Sequence, residues 1–138
     1  MLFFYCRKRS VLQIDKNRVD RKLAHWQGVA ISAATQCQRS VVPTVDSPVA
    51  LTDWIDHIKK PESCLLLHPT ADTTLQDITL QSPSCSVLIG PEGGFSTEEI
   101  NHAKARGVTT FKCGPRILRT ETAGFTAIAI LQSRYGDL

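Results

Sequence analysis

The stretch L-I-G-P-E-G-G-F-S-T-E-E-I, residues 88–100, constrains the fold more than any other part of this sequence. Ser86-Val87-Leu88-Ile89 is a short apolar run of the kind that forms a buried strand. Gly90-Pro91-Glu92-Gly93-Gly94 breaks it sharply, because glycine and proline both punctuate regular structure. Ser96 then opens a helix. Glu99, three positions later, completes a capping box in which each partner's side chain satisfies the other's backbone N–H. A strand that passes through a tight loop into a helix belongs to a strand–helix crossover unit, and such units build parallel sheets.

Two further runs fit the same plan. Cys64-Leu65-Leu66-Leu67, ending at His68-Pro69, predicts a buried parallel strand, and Val108-Thr109-Thr110-Phe111-Lys112 predicts a third. The helix opened by Ser96 is expected to run to about Arg106 and to stop at Gly107, a suitable left-handed cap. A last helix, about 121–134, is dense in apolar residues (Ala123, Phe125, Ala127, Ile128, Ala129, Ile130 and Leu131), which predicts burial on more than one side. Upstream, Val19, Leu23, Trp26, Ala30, Ala33 and Cys37 recur at steps of three and four. They mark one face of a long helix, about 16–38, with Lys16, Arg18, Arg21, Lys22 and Gln27 on the others. Residues 11–14 alternate like a short strand or edge segment, and Asp15 is placed to cap the long helix. Pro43-Thr44-Val45 reads as extended. Thr52 precedes a short helix, 53–58, with acidic residues in its first turn, and Thr74-Leu75 begins a helical turn. The class is therefore α/β, a mainly parallel sheet with flanking helices. In such sheets ligands bind beyond the carboxyl ends of the strands.

A chain of 138 residues suits one domain with an ordinary core. The net charge of +3 and pI of about 8.7 permit an RNA partner without demanding one. The five cysteines, Cys6, Cys37, Cys64, Cys85 and Cys113, are odd in number and contain no C-x-x-C pair. That argues against a disulfide framework or a zinc site and for buried, reduced thiols. The apolar start, Met1 to Cys6, stops at Arg7-Lys8-Arg9, too short for a signal peptide or a membrane span. The expectation is a cytoplasmic protein with no membrane and no metal.

Two loops concentrate the chemistry. Gly90–Gly94 lies where glycines let a ligand approach the backbone and a helix start offers free N–H groups. It lacks the Lys-Ser/Thr of a phosphate loop. From its residues alone, a ligand loop and an ordinary tight turn stand at even odds. The second loop is C-G-P-R-I-L-R-T-E-T-A-G, residues 113–124. Thr120 is positioned to cap the last helix, and Glu121 suits its amino end. Arg116 and Arg119 do not suit it, since cations are disfavoured there, and they point to an anionic partner such as RNA phosphate or an ionised base.

The strings G-P-E-G-G-F-S-x-x-E and R-I-L-R-T-E-T-A, about twenty residues apart and in this order, resemble the signature of the ribosomal RNA small-subunit methyltransferase E family. That family belongs to the SPOUT superfamily of knotted methyltransferases. The helical block ending A-A-T-Q-C-Q-R, followed by V-V-P-T-V, is similar to a third family block. The resemblance covers about residues 10 to 135. It implies a single SPOUT-like domain over 1–138, with a deep trefoil knot at the carboxy end, a fold that pattern reading rejects because threaded chains are essentially absent from proteins. It also implies S-adenosylmethionine bound in the knot by three loops: Leu67, His68 and Pro69; Ile89, Gly90, Pro91, Gly93 and Gly94; and Cys113, Gly114, Ile117, Leu118 and Thr120. The implied reaction is methylation of N3 of a uridine in small-subunit ribosomal RNA, by a homodimer joined through the knot region.

Under that resemblance Arg119 is the candidate for stabilising negative charge on the uracil, and Glu121 or Glu92 for accepting the N3 proton. Glu121 has its dipole role as an equal alternative. Arg116 and Arg39 are candidates for RNA contact; Arg39 alternatively only complements the end of the long helix, or touches a partner subunit. His68, alone among the four histidines, falls in a site loop, as pocket lining. The family's amino-terminal RNA-binding barrel and its first strand–helix unit are expected to be missing from this chain. Glu is expected where Thr35 stands, and Gly where Gln38 stands. Two alternatives remain: a non-enzymatic relic that binds cofactor or ribosome, and a nucleotide-binding domain using Gly90–Gly94 for phosphate.

Overall fold

The computed structural model describes residues 16–82 and 84–136. The anticipated strand at 11–14 and the cap at Asp15 lie outside them. The chain divides into two compact units, with the boundary between Leu51 and Thr52.

The first unit is built on α1, Lys16–Gln36. Its inward stripe is Val19, Leu23, Trp26, Gln27 and Ala30, half-buried, and Ala34, buried. The sequence pattern ends that stripe on Ala33 and Cys37, but both are exposed. Steps of three and four fit either ending, so periodicity alone does not choose. Gln27 is a second correction. Its amide donates to the Pro43 carbonyl at 3.0 Å and accepts from the Val45 N–H at 2.9 Å, which holds the extended segment against the helix. The helix closes in a Schellman motif: the Gln38 N–H bonds the Thr35 carbonyl and the Arg39 N–H bonds that of Ala34. Gln38 carries the left-handed position, at φ 57°.

In the second unit a parallel three-stranded sheet has the order β2-β1-β3. The strands are β1, Cys64–Leu67, β2, Ser86–Leu88, and β3, Thr109–Phe111. Leu65 pairs with Val87 on one side and with Thr109 on the other. The helices are α2, Leu51–His57, which begins before Thr52, then α3, Thr97–Ala105, and α4, Thr120–Tyr135. The turn anticipated at Thr74-Leu75 is a 3₁₀ turn, Leu75–Asp77. The core joins Leu65, Leu75, Ile78, Phe111 and Ala127, so it lies between the sheet, that turn and one face of α4.

The α3 capping box forms as the sequence predicts. The Ser96 hydroxyl accepts from the Glu99 N–H at 3.2 Å, and Glu99 Oε2 accepts from the Ser96 N–H at 2.7 Å. Gly107 follows with φ +86°, the left-handed stop. α4 departs from expectation. Ala123 and Ala127 are buried, but Phe125 is 77% and Ile128 42% exposed, so within one chain the helix buries a single face. Its far end is fastened by side chains: Arg134 donates to the carbonyls of Leu75, Gln76 and Ile78, and the Tyr135 hydroxyl donates to the Ile78 carbonyl at 2.7 Å. The expectation of buried thiols also needs correction. Cys64 is buried, Cys85 and Cys113 are half-buried, and Cys37 is exposed; Cys6 lies outside the described residues.

Candidate active-site cleft

Parallel strands bring their carboxyl ends to one edge of the sheet, and there the three loops meet. They surround an open cleft of about 740 Å³, a volume in the range of small-molecule sites. The first loop gives Leu67, His68, Pro69 and Thr70; the second gives Ile89 through Phe95; the third, with the start of α4, gives Ile117 to Glu121 and Ala123. Of the residues singled out in the sequence, Leu67, His68, Pro69, Ile89, Gly90, Pro91, Glu92, Gly93, Gly94, Ile117, Leu118, Arg119, Thr120 and Glu121 line it together. Cys113, Gly114 and Arg116 line instead a small adjoining hollow of about 30 Å³. Arg39 belongs to the first unit. Sequence reasoning misses Thr70, Phe95 and Ala123, although Phe95 and Ala123 stand inside the two quoted motifs.

The second loop turns back on itself. The Gly94 N–H bonds the Pro91 carbonyl at 2.7 Å, and Gly94 has φ +66°, where a side chain is strained. Gly90 serves a different need. A Cβ added there would come within 3.2 Å of both the Gly94 carbonyl carbon and the Phe95 ring, so glycine allows the loop to close. Thr120 does not cap α4. Arg119 occupies the cap position without a side-chain cap bond, and Thr120 is the first helical residue. Its hydroxyl donates to the Gly90 carbonyl at 3.1 Å, which ties the third loop to the second across 30 residues. His68 is held within its own loop, its Nδ1 accepting from the Thr70 N–H at 3.2 Å, and its backbone N–H bonds the Phe111 carbonyl at 2.8 Å.

The cleft's charges decide what it suits. Arg119 is the one Lys or Arg in its lining, against Glu92 and Glu121, all three exposed. Outside this lining, Asp56 pairs with Arg106 at 3.6 Å, and its Oδ1 lies 3.0 Å from His102 Nε2. A polyphosphate gains little from one cation beside two carboxylates. Leu67, Ile89, Phe95 and Leu118 offer apolar and aromatic surface to a ligand, and the loop backbones offer hydrogen bonds. No group of three or more His, Cys, Asp or Glu able to hold a metal occurs among the described residues. No helix among them is long and apolar enough to cross a membrane. Burial pushes the Cys113 thiol up, so the half-buried thiol beside the cleft stays protonated near neutral pH.

The sequence model of the RNA methyltransferase domain family matches residues 2–132. The chain belongs to that family. It is 37% identical over 118 residues to the ribosomal RNA small subunit methyltransferase E of Buchnera aphidicola from Schizaphis graminum, covering 86% of this chain and 48% of the relative. Among solved structures, a Legionella pneumophila protein, described as a methyltransferase in complex with S-adenosylmethionine, superposes with a TM-score of 0.90 at 38% identity, over 99% of this chain and 56% of the other. The ribosomal RNA small subunit methyltransferase E of Neisseria gonorrhoeae, bound to S-adenosylmethionine, gives 0.86 at 32% identity, over 95% and 54%. The chain thus spans about half the length of the relatives it matches.

Proposed function

We propose that this chain is the carboxy-terminal, S-adenosylmethionine-binding part of a methyltransferase that acts on N3 of a uridine in small-subunit ribosomal RNA. The observation that carries this reading is the meeting of three backbone-rich loops on one cleft whose rim holds Arg119, Glu92 and Glu121. Membership of the RNA methyltransferase domain family supports it. So do relatives called ribosomal RNA small subunit methyltransferase E and solved neighbours holding S-adenosylmethionine. The reading includes the carboxy-terminal knot, cytoplasmic work on ribosomes, and a homodimer through the knot region.

S-adenosylmethionine, when bound, supplies a methyl group already made electrophilic by its sulfonium. The protein's task lies with the other reactant, because uridine N3 carries a proton that has to leave before the nitrogen can attack. Arg119 is assigned the negative charge that then spreads onto the uracil oxygens, a role suited to a cation in the cleft lining. Glu121 or Glu92 is assigned the proton. Thr120, tied to Gly90, fixes where Arg119 and Glu121 stand relative to the glycine loop. Arg116 and Arg39 are assigned to RNA contact.

Calorimetry with S-adenosylmethionine and methyl transfer to small ribosomal subunits test the reading together. Micromolar binding, with transfer that falls by on the order of a hundredfold or more in Arg119→Ala while binding persists, is the expected outcome. A folded chain that binds no S-adenosylmethionine overturns it. Binding without transfer favours the relic reading, in which the cofactor cleft survives without catalysis.

A further inference from the structure

The positive charge of this chain is not spread evenly. Residues 1–51 contain eight Lys and Arg against three Asp and Glu, while residues 52–138 contain eight against ten. The whole surplus behind the net charge of +3 therefore lies ahead of the cleft-bearing unit. Charge asymmetry between two parts of a chain suits contact with a polyanion, nucleic acid among them. Arg7, Lys8 and Arg9 lie outside the described residues; of the other five cations of the first unit, Lys16, Arg18, Arg21 and Lys22 lie on α1. Arg18, Lys22 and His25 are all exposed and follow the i, i+4, i+7 spacing that stacks side chains along one helix face. Arg21 is exposed beside them, and the acidic residue of this part of the helix, Asp20, falls on a different flank. The half-buried stripe from Val19 to Ala30 faces another way, so these side chains are not needed to cover the core.

We propose that the Arg18–Lys22–His25 face of α1 is an RNA-backbone contact surface, built from residues of the first unit and not from the lining of the cleft. The inference rests on the RNA reading above. The occupant is argued from charge: Arg18, Arg21 and Lys22, spread over about 6 Å of helix rise, match roughly two phosphates of one nucleic-acid strand. Contacts to phosphates contribute affinity and register, not sequence choice.

The double reversal Arg18→Glu/Lys22→Glu in the 138-residue chain, with the milder Arg18→Gln/Lys22→Gln alongside, tests the proposal. Binding to a small-subunit ribosomal RNA fragment is measured across a salt series. The expected result is an affinity roughly tenfold or more lower in the reversal, and a salt slope lower by about 1 for each phosphate that is no longer neutralised. S-adenosylmethionine affinity and thermal midpoint stay unchanged, and Lys59→Glu/Lys60→Glu, a charge change of equal size in the other unit, leaves the slope alone. Equal RNA affinity and equal slope in wild type and both α1 variants overturn the surface while leaving the methyltransferase reading standing. A wild-type chain that binds S-adenosylmethionine but no RNA at any salt overturns both the surface and the RNA partner.

Discussion

At the scale of single residues, the positions where local preference and observed geometry disagree are the most informative. Gln38 holds φ 57°, a conformation that suits glycine, and glycine is what the family block leads one to expect there. A side chain in that region costs about 1 kcal/mol. Gln38→Gly is therefore expected to stabilise the chain by up to roughly 1 kcal/mol, less what the freer unfolded chain takes back, read as a higher denaturant midpoint at an unchanged slope. An unchanged midpoint would mean that Gln38 makes a compensating interaction. Cys64 carries a second prediction. Burial, with Cys85 adding to it, pushes its thiol up to about 12 from an ordinary value near 9. A group whose folded value is raised gives stability that is whole below the unfolded value and is lost as pH climbs towards the folded one. Wild-type stability should thus fall more steeply between about pH 9 and 12 than that of Cys64→Val, which has no thiol to ionise. At pH 8 an alkylating reagent should take exposed Cys37 first among the described cysteines, and Cys64 only on unfolding. The glycine loop and both arginines of the third loop are legible in the sequence because their types are unusual for their places. Gln27, Thr120 and Arg134 are not, because each is polar, locally unremarkable, and defined by carbonyl or N–H partners 16 to 59 residues away.

At the scale of elements, strands and caps are closely legible in the sequence, while helix faces are less so. The three strands show as short apolar runs ending in loops, a signal that survives because β1 is central and buried and the edge strands bury Leu88 and Phe111. The α3 start is a purely local device, and Ser96→Ala is expected to cost about 1 kcal/mol in thermal or chemical unfolding. The start of α4 looks equally local, with Thr120 as its cap, but that hydroxyl works between elements instead. The distinction is testable. If Thr120 merely capped the helix, Thr120→Val would lower stability and leave the cleft as it is. A bond that ties the third loop to the Gly90 carbonyl predicts something else: S-adenosylmethionine affinity falls several-fold in Thr120→Val and is restored by Thr120→Ser, with little change in helix content. A drop in stability at unaltered affinity would return Thr120 to a capping role.

At the scale of the whole molecule, the apolar surface of α4 is the feature a lone chain leaves unexplained. Composition leads to a helix buried on several sides, yet Phe125 is 77% exposed and Ile128 42%, and Ile117 in the loop before it is 80% exposed. The expectation and the structure agree if the second side is covered by another copy, which is the homodimer proposed above. A twofold interface presents each residue twice, so one substitution acts on both halves of it. Burying a phenylalanine is worth about 1.5–3 kcal/mol, so replacing Phe125 by Asp should cost about 3–6 kcal/mol of association, before any added charge repulsion. That is on the order of a hundredfold or more in the dissociation constant. In sedimentation at tens of micromolar the wild-type chain should run as a dimer and Phe125→Asp as a monomer with its fold intact. Phe125→Leu, which keeps most of the apolar area, should remain dimeric. A wild-type chain that is monomeric at those concentrations would sink the dimer, and would leave the outer face of α4 as surface that one chain exposes by itself.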